Sequence, residues 1–469
     1  MVFSSMIFIF GFLPLILGIY YVTPRRYKNL VLLIGSFVFY SYGGVRFTFV
    51  VLGSIILNYC FGRLISYYRS NYKAKVFLFL GVVCNIAVLG YFKYWNFFWD
   101  NFSYLLGGSM VLEKIVMPIG ISFFTFQGIS YVVDVYRGQA SQRSFVNISL
   151  YIMFFPQLIA GPIVRYADIS KQISSRQENI IDFGEGVERF IIGLGKKVLI
   201  SNVLGEVAKD VFVSDSPSVF LLWIGIICFT LQIYYDFSGY SDMAIGLSRM
   251  FGFKIVENFN YPYISMSITE FWRRWHISLG SFFRDYVYIP LGGNRCSAVR
   301  NGFNLFIVWG LTGFWHGAEF KFIIWGLYFG CIIKLERAFL LDILRGIPGV
   351  FRHIYTLLLI MIGWVIFEMD SLGSCITYLK GMFFLGGNTI INTGDMFYIV
   401  NYGIEIIIAI IFSMPIMMSL LKSLENSKVK IVSVFFNAVF TPIMLIGILY
   451  FVVMSLVNTS FNPFIYFRF

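Results

Sequence analysis

Apolar runs of about 20 residues, the length a helix needs to cross the hydrocarbon core of a bilayer, follow one another along almost the whole of this sequence. Only short polar or basic segments separate them. A water-soluble fold has no way to bury so many such runs, because the charge needed to cover its surface is missing. The 469 residues are 58% hydrophobic, 20% aromatic and 13% charged, with a mean hydropathy of +0.77. Bilayer is therefore the natural solvent, and no stretch remains for a separate soluble domain. The expected fold is all-α and polytopic, one membrane domain over residues 1–469. The first run, Met1 to Tyr21, lacks a basic start and a small-residue cleavage site before Arg25 and Arg26, so it reads as a retained helix.

A formal charge of +12 raises the question of nucleic acid. The basic residues instead form short clusters between apolar runs: Arg25-Arg26-Lys28, then Arg63, Arg69, Lys73 and Lys75, then Arg137 and Arg143. These follow the first, third and fifth runs, as loops on the cytoplasmic side do, and no nucleic-acid partner is expected. The six cysteines, at 60, 84, 228, 296, 331 and 375, form no CxxC pair and suggest neither a disulfide framework nor a zinc site.

Three stretches interrupt the apolar pattern with Gly and Pro: Met117 to Gly120, Phe155 to Pro162, and Tyr261 to Gly293. Irregular backbone at membrane depth is tolerated only inside protein or against a wet cavity, so re-entrant or tilted segments are expected there. Glycine and proline are also common in ordinary membrane helices, and any single stretch is equally well read that way.

Histidine is scarce: His276, His316 and His353 are the three in the chain. His316 lies in the run Gly313-Phe314-Trp315-His316-Gly317-Ala318 between two apolar segments. An ionisable side chain in such a place faces a polar interior rather than lipid, and a neutral imidazole can take a proton from a hydroxyl near pH 7. A histidine packed at a helix end is the simpler structural alternative. His276 follows Thr269-Glu270-Phe271-Trp272-Arg273-Arg274-Trp275, where Ser267 and Glu270 have the spacing of a capping box. It is a second candidate for catalysis or substrate orientation, or a structural hydrogen-bonding residue. His353, beside Arg352, reads as a solvated loop residue. The carboxylates Asp236 and Asp242 sit in apolar context; they orient a histidine or, more simply, pair with Arg273 or Arg274 to hold the bundle together. Phosphate-binding loops, GxSxG elbows and HExxH zinc motifs are absent, which favours direct transfer between two bound substrates over a covalent intermediate.

The segment TEFWRRWHISLGSFFRDYVYIPLGGNR at 269–295, followed by GFWHGA at 313–318, resembles the membrane-bound O-acyltransferase family, in particular its bacterial alginate-acetylating branch. FFPQLIAGPIVRY at 154–166, YYDFSGYSDMAIGLSRMFGF at 234–253 and PFIYFRF at 463–469 extend the resemblance along the chain in family order. One position departs from it, Gly280 standing where a serine is expected.

The resemblance implies a ring of about eleven or more helices with re-entrant segments around a central tunnel. His316 matches the catalytic histidine and His276 a second motif histidine, while Arg273, Arg274, Trp275, Asp236, Asp242 and Trp315 become candidates for lining the tunnel. No metal and no permanently bound cofactor are implied. Acetyl-CoA is the expected donor, an exported polysaccharide the expected acceptor, and an extracytoplasmic SGNH or esterase-like acetyltransferase the expected partner, at the inner (plasma) membrane of a bacterium. Within the family, D-alanyl transfer to teichoic acid and peptidoglycan O-acetylation compete with this reading. A transporter or flippase would also break its helices, but it predicts two related halves, and no internal repeat is seen.

Overall fold

The computed structural model describes residues 1–108, 113–426, 428–458 and 465, and among these every regular element is helical. Six of the described helices are long and apolar enough to cross a membrane: Val45–Tyr67, Tyr72–Leu105, Val219–Met250, Gly349–Glu368, Asp395–Phe412 and Lys430–Asn458. Their burial differs widely. The apolar window of Val219–Met250 is 78% buried within the protein, whereas that of Lys430–Asn458 is 6% buried. The first is an interior helix, and the second presents side chains that only lipid can satisfy. The 463–469 motif, Ile465 apart, lies outside the described residues.

The contacts divide the chain into two compact units interleaved in sequence. The first unit holds residues 1–190, 241–257 and 284–286. In it the helices Val45–Tyr67 (α1), Tyr72–Leu105 (α2) and Ile121–Tyr136 (α3) pack together. Asn58 on α1 and Asn85 on α2 exchange side-chain amide hydrogen bonds of 3.1 and 2.9 Å, and Gly128 on α3 leaves room for this pair. Such a polar pair between small residues holds helices together where lipid supplies no hydrophobic drive.

The interrupted segment 154–164 is also in this unit and is buried throughout. Neighbouring hydroxyls satisfy its polar backbone. The Phe155 N–H donates to Ser36 Oγ at 3.1 Å, and Tyr151 Oη donates to the Val164 carbonyl at 3.1 Å. Gly120, at φ +75°, brings the turn before α3 directly against the Leu158 carbonyl, a spot no side chain can enter. Irregular backbone is thus enclosed in protein, as its depth requires.

The second unit holds residues 191–240, 258–283 and 287–469. The helix Val219–Met250 (α4) contributes its part up to Tyr240. Two short helices follow, Ile268–Arg274 (α5) and Ile277–Phe283 (α6), then the hairpin Ala298–His316 (α7) and Phe320–Leu335 (α8), and the helix Gly349–Glu368 (α9). The hairpin closes tightly because Gly313 meets the Phe322 carbonyl and Gly326 meets the Trp309 carbonyl, with no side chain between them. His353 lies in the first turns of α9 rather than in a loop.

Candidate functional site

The chain reaches His276 through a helix whose start is fixed from two directions. Ser267 caps α5 by accepting from the Glu270 N–H at 3.0 Å, as its spacing predicts. The fully buried Glu336 carboxylate accepts from the Ile268 and Thr269 N–H groups, each at 2.7 Å, and from Tyr355 Oη at 3.2 Å. A carboxylate on otherwise orphaned donors at a helix N-terminus is strongly favoured. After about two turns the helix stops. Trp275 is extended and His276 takes a left-handed conformation at φ +45°, uncommon for a residue with a Cβ.

That conformation is held by pairing with the segment at 258–260. The Ile277 N–H donates to the Asn258 carbonyl at 3.0 Å, and the Asn260 N–H to the Arg274 carbonyl at 2.9 Å. The Asn258 side-chain oxygen lies 3.0 Å from His276 Nδ1 and accepts from Ser278 N–H at 3.2 Å and Ser278 Oγ at 2.8 Å. Phe237 of α4 presses edge-on against the imidazole, with centroids 4.6 Å apart.

His316 ends α7. Trp315 links the two histidines: its ring centroid is 5.9 Å from His276 and 4.9 Å from His316. Trp325 of α8 and Phe367 of α9 enclose His316 at nearly perpendicular angles, at 5.1 and 5.6 Å. Both histidines are buried, 2% and 5% exposed. Burial holds the His276 imidazole well below the usual histidine range, and the charge of His316 pushes it the same way, so it is neutral at physiological pH. Gly317 is pinned under the Phe322 ring, which leaves no room for a side chain immediately after His316.

The other candidates separate. Trp275 is buried among Phe259, Phe271 and Trp364 as part of the aromatic core. Arg273 is exposed, and Arg274 is tied to Glu270 at 2.9 Å. Asp236 pairs with Lys197 rather than with either arginine, at 2.6 Å and almost fully buried, and its second oxygen accepts the Ile465 N–H at 2.8 Å. Asp242 belongs to the first unit and pairs with Arg189 at 2.9 Å. Gly280 is exposed with nothing near the position of a Cβ, so its departure from the family pattern leaves the site unaltered. Among the described residues no group of three His, Cys, Asp or Glu side chains is placed to hold a metal.

The second unit also opens a cleft of about 300 Å³, lined among others by Lys209, Gln232, Glu368, Asp370 and Phe212 and by neither histidine. The indole N–H groups of Trp272 and Trp325 are buried and meet no hydrogen-bond acceptor among the described residues. The sequence pointed to neither the cleft nor Lys197, Asn258, Trp325 and Phe367. Of these only Lys197 carries a signal, a cation inside an apolar run.

Residues 111–343 match the model of the membrane-bound O-acyltransferase family. A Pseudomonas aeruginosa protein named probable alginate O-acetylase is 45% identical over 392 residues, covering 82% of this chain and 75% of its own length. The chain belongs to the membrane-bound O-acyltransferase family. As a member it is a multi-pass membrane protein and an acyltransferase. A peptidoglycan O-acetyltransferase of Helicobacter pylori is 35% identical over 424 residues, covering 82% of this chain and 80% of its own. A teichoic acid D-alanyltransferase of Bacillus subtilis is 30% identical over 248 residues, covering 48% and 60%. In this family context the segments at 269–295 and 313–318 carry both buried histidines.

Proposed function

We propose that this acyltransferase takes acetyl from acetyl-CoA on the cytoplasmic side of a bacterial plasma membrane and supplies it for O-acetylation of an exported or cell-surface polysaccharide. The observation that carries the reading is the buried run His276, Trp315 and His316, which sets two imidazoles into an aromatic enclosure. In this reading His316 takes the proton of an acceptor hydroxyl while its oxygen attacks the thioester carbonyl carbon. A C–O bond forms, the C–S bond breaks, and the departing CoA sulfur leaves as the thiol once it receives that proton. Trp325, with its buried N–H, is the donor assigned to the carbonyl oxygen as negative charge grows there. The cleft in the same unit, with carboxylate, amide and ammonium groups next to Phe212 and Phe229, is assigned to a hydroxyl-bearing acceptor group on the chemistry of its lining.

A cleft of that size holds one group and not a hydrated polymer, so transfer onto polymer is assigned to an esterase-like partner outside the cytoplasm. Peptidoglycan is the second acceptor to consider, favoured by the 35% identity to the Helicobacter pylori protein over most of the chain. Purified protein in liposomes, with acetyl-CoA inside and candidate polysaccharide outside, is expected to yield little acetylated polymer until such a partner is added. Efficient acetylation by the chain alone would remove the partner from the scheme.

A further inference from the structure

The hydrogen bonds around Asn258 decide more than the fold of its loop. Three groups converge on one side-chain atom: Ser278 N at 3.2 Å, Ser278 Oγ at 2.8 Å and His276 Nδ1 at 3.0 Å. A backbone N–H can only donate, so the atom it faces is the amide oxygen; the reversed amide would set NH2 against N–H. An amide oxygen can only accept. The His276 nitrogen that faces it therefore carries the hydrogen, and the lone pair of the neutral ring is on Nε2.

We infer that Asn258 is a positioning residue that holds His276 in the Nδ1–H tautomer, making Nε2 a hydrogen-bond acceptor toward a substrate hydroxyl other than the one His316 deprotonates, rather than a donor toward the acyl carbonyl. This rests on the reading that His276 belongs to the reaction site. Backbone geometry supports it independently. A left-handed φ of +45° at a residue with a Cβ persists only when its surroundings over-determine it. Here the Ile277 N–H bond to the Asn258 carbonyl, at 3.0 Å, and the Gly280 N–H bond to the His276 carbonyl, at 3.1 Å, do so from both sides. Asn258 thus sets the backbone of this turn with its carbonyl and the imidazole with its side chain.

The neutral amide matters as much as its position. A carboxylate there would fix the same tautomer but also stabilise the imidazolium, pulling His276 toward a charged form that accepts nothing. An amide fixes the tautomer and leaves the ring uncharged. The ionisable group whose charge bears on His276 is His316, and its protonation also disfavours a second cation.

The test uses membranes of the producing strain, which contain partner and acceptor, and follows transfer of radiolabelled acetyl from acetyl-CoA between pH 5 and 9 in variants of the full chain. Asn258→Leu removes the acceptor and is expected to lower transfer about 10–100-fold, the range for groups that orient a ligating or catalytic histidine. Asn258→Asp keeps an acceptor for all three donors. It is expected to retain transfer within about tenfold at its own optimum, with the acid limb of the profile moved up by about 1–2 pH units, because a facing carboxylate raises the imidazole pKa. In a His276→Gln background, Asn258→Leu should cost nothing further. Losses that multiply in the double variant, or an Asn258→Asp profile that does not move, overturn the inference. Should Asn258→Leu fail to accumulate, the Asn258→Asp profile decides alone. Wild-type transfer by His276→Gln would overturn the inference together with its premise, whereas an impaired His276→Gln with multiplying losses overturns the inference only.

Discussion

Residues 154–164 and residues 258–283 both break the helical pattern with proline and glycine, yet they are built from opposite materials. The first segment contains no ionisable side chain, and its buried backbone is satisfied by hydroxyls from Ser36 and Tyr151. The second also encloses irregular backbone, but it places a histidine in a strained turn and orients it with an amide. In sequence the two look alike, as sites where a spanning helix fails. The comparison teaches that such a failure marks enclosed backbone, and that chemistry is read only from what the enclosed residues can ionise, donate or accept.

The sharpest way to break this contrast is His316→Ala. Loss of the proposed base is expected to lower acetyl transfer by about 10²–10⁴-fold while the protein accumulates in the membrane as before. Near-normal acetylation in a deletion strain carrying that variant would take the chemistry away from the second unit.

Glu336→Leu comes next, because it orphans two backbone donors at the start of α5. A cost of roughly 1–3 kcal/mol for each is expected, seen as a lower melting temperature in detergent together with reduced transfer, since α5 leads into His276. Unchanged transfer with normal melting would show that α5 needs no such anchor.

In the first unit, Ser36→Ala leaves the Phe155 N–H without its acceptor. Stability should fall by about 1–3 kcal/mol with the turnover of folded protein unaltered; a selective loss of turnover would show that 154–164 shares in the chemistry. The smallest effect belongs to Gly280→Ser, which adds a side chain in open space and should stay within about 0.5 kcal/mol and twofold in rate.

Much of this was legible beforehand. The multi-pass helical class follows from the apolar runs, and the start of α5 from Ser267 and Glu270, because both signals are local and periodic. His316 and His276 were conspicuous through scarcity, although their proximity through Trp315 needed the fold. Asn258 was not legible. It lies 18 residues before His276, and a lone asparagine in a loop has no spacing to betray the nitrogen it will face. The partners of Asp236 and Asp242 were missed for the same reason. Arginines stood nearby in sequence, but Lys197 and Arg189 come from other helices, and ion pairing between segments leaves no periodic trace.

The weak burial of Lys430–Asn458 has a consequence for how this helix answers to its lipids. Its 29 residues extend about 44 Å at 1.5 Å each, well beyond a hydrocarbon core of about 30 Å, and few contacts with the rest of the protein oppose its leaning. Its inclination therefore follows the thickness of the surrounding membrane. Lipids with longer or shorter acyl chains will reset that angle, so this helix registers a change in lipid composition.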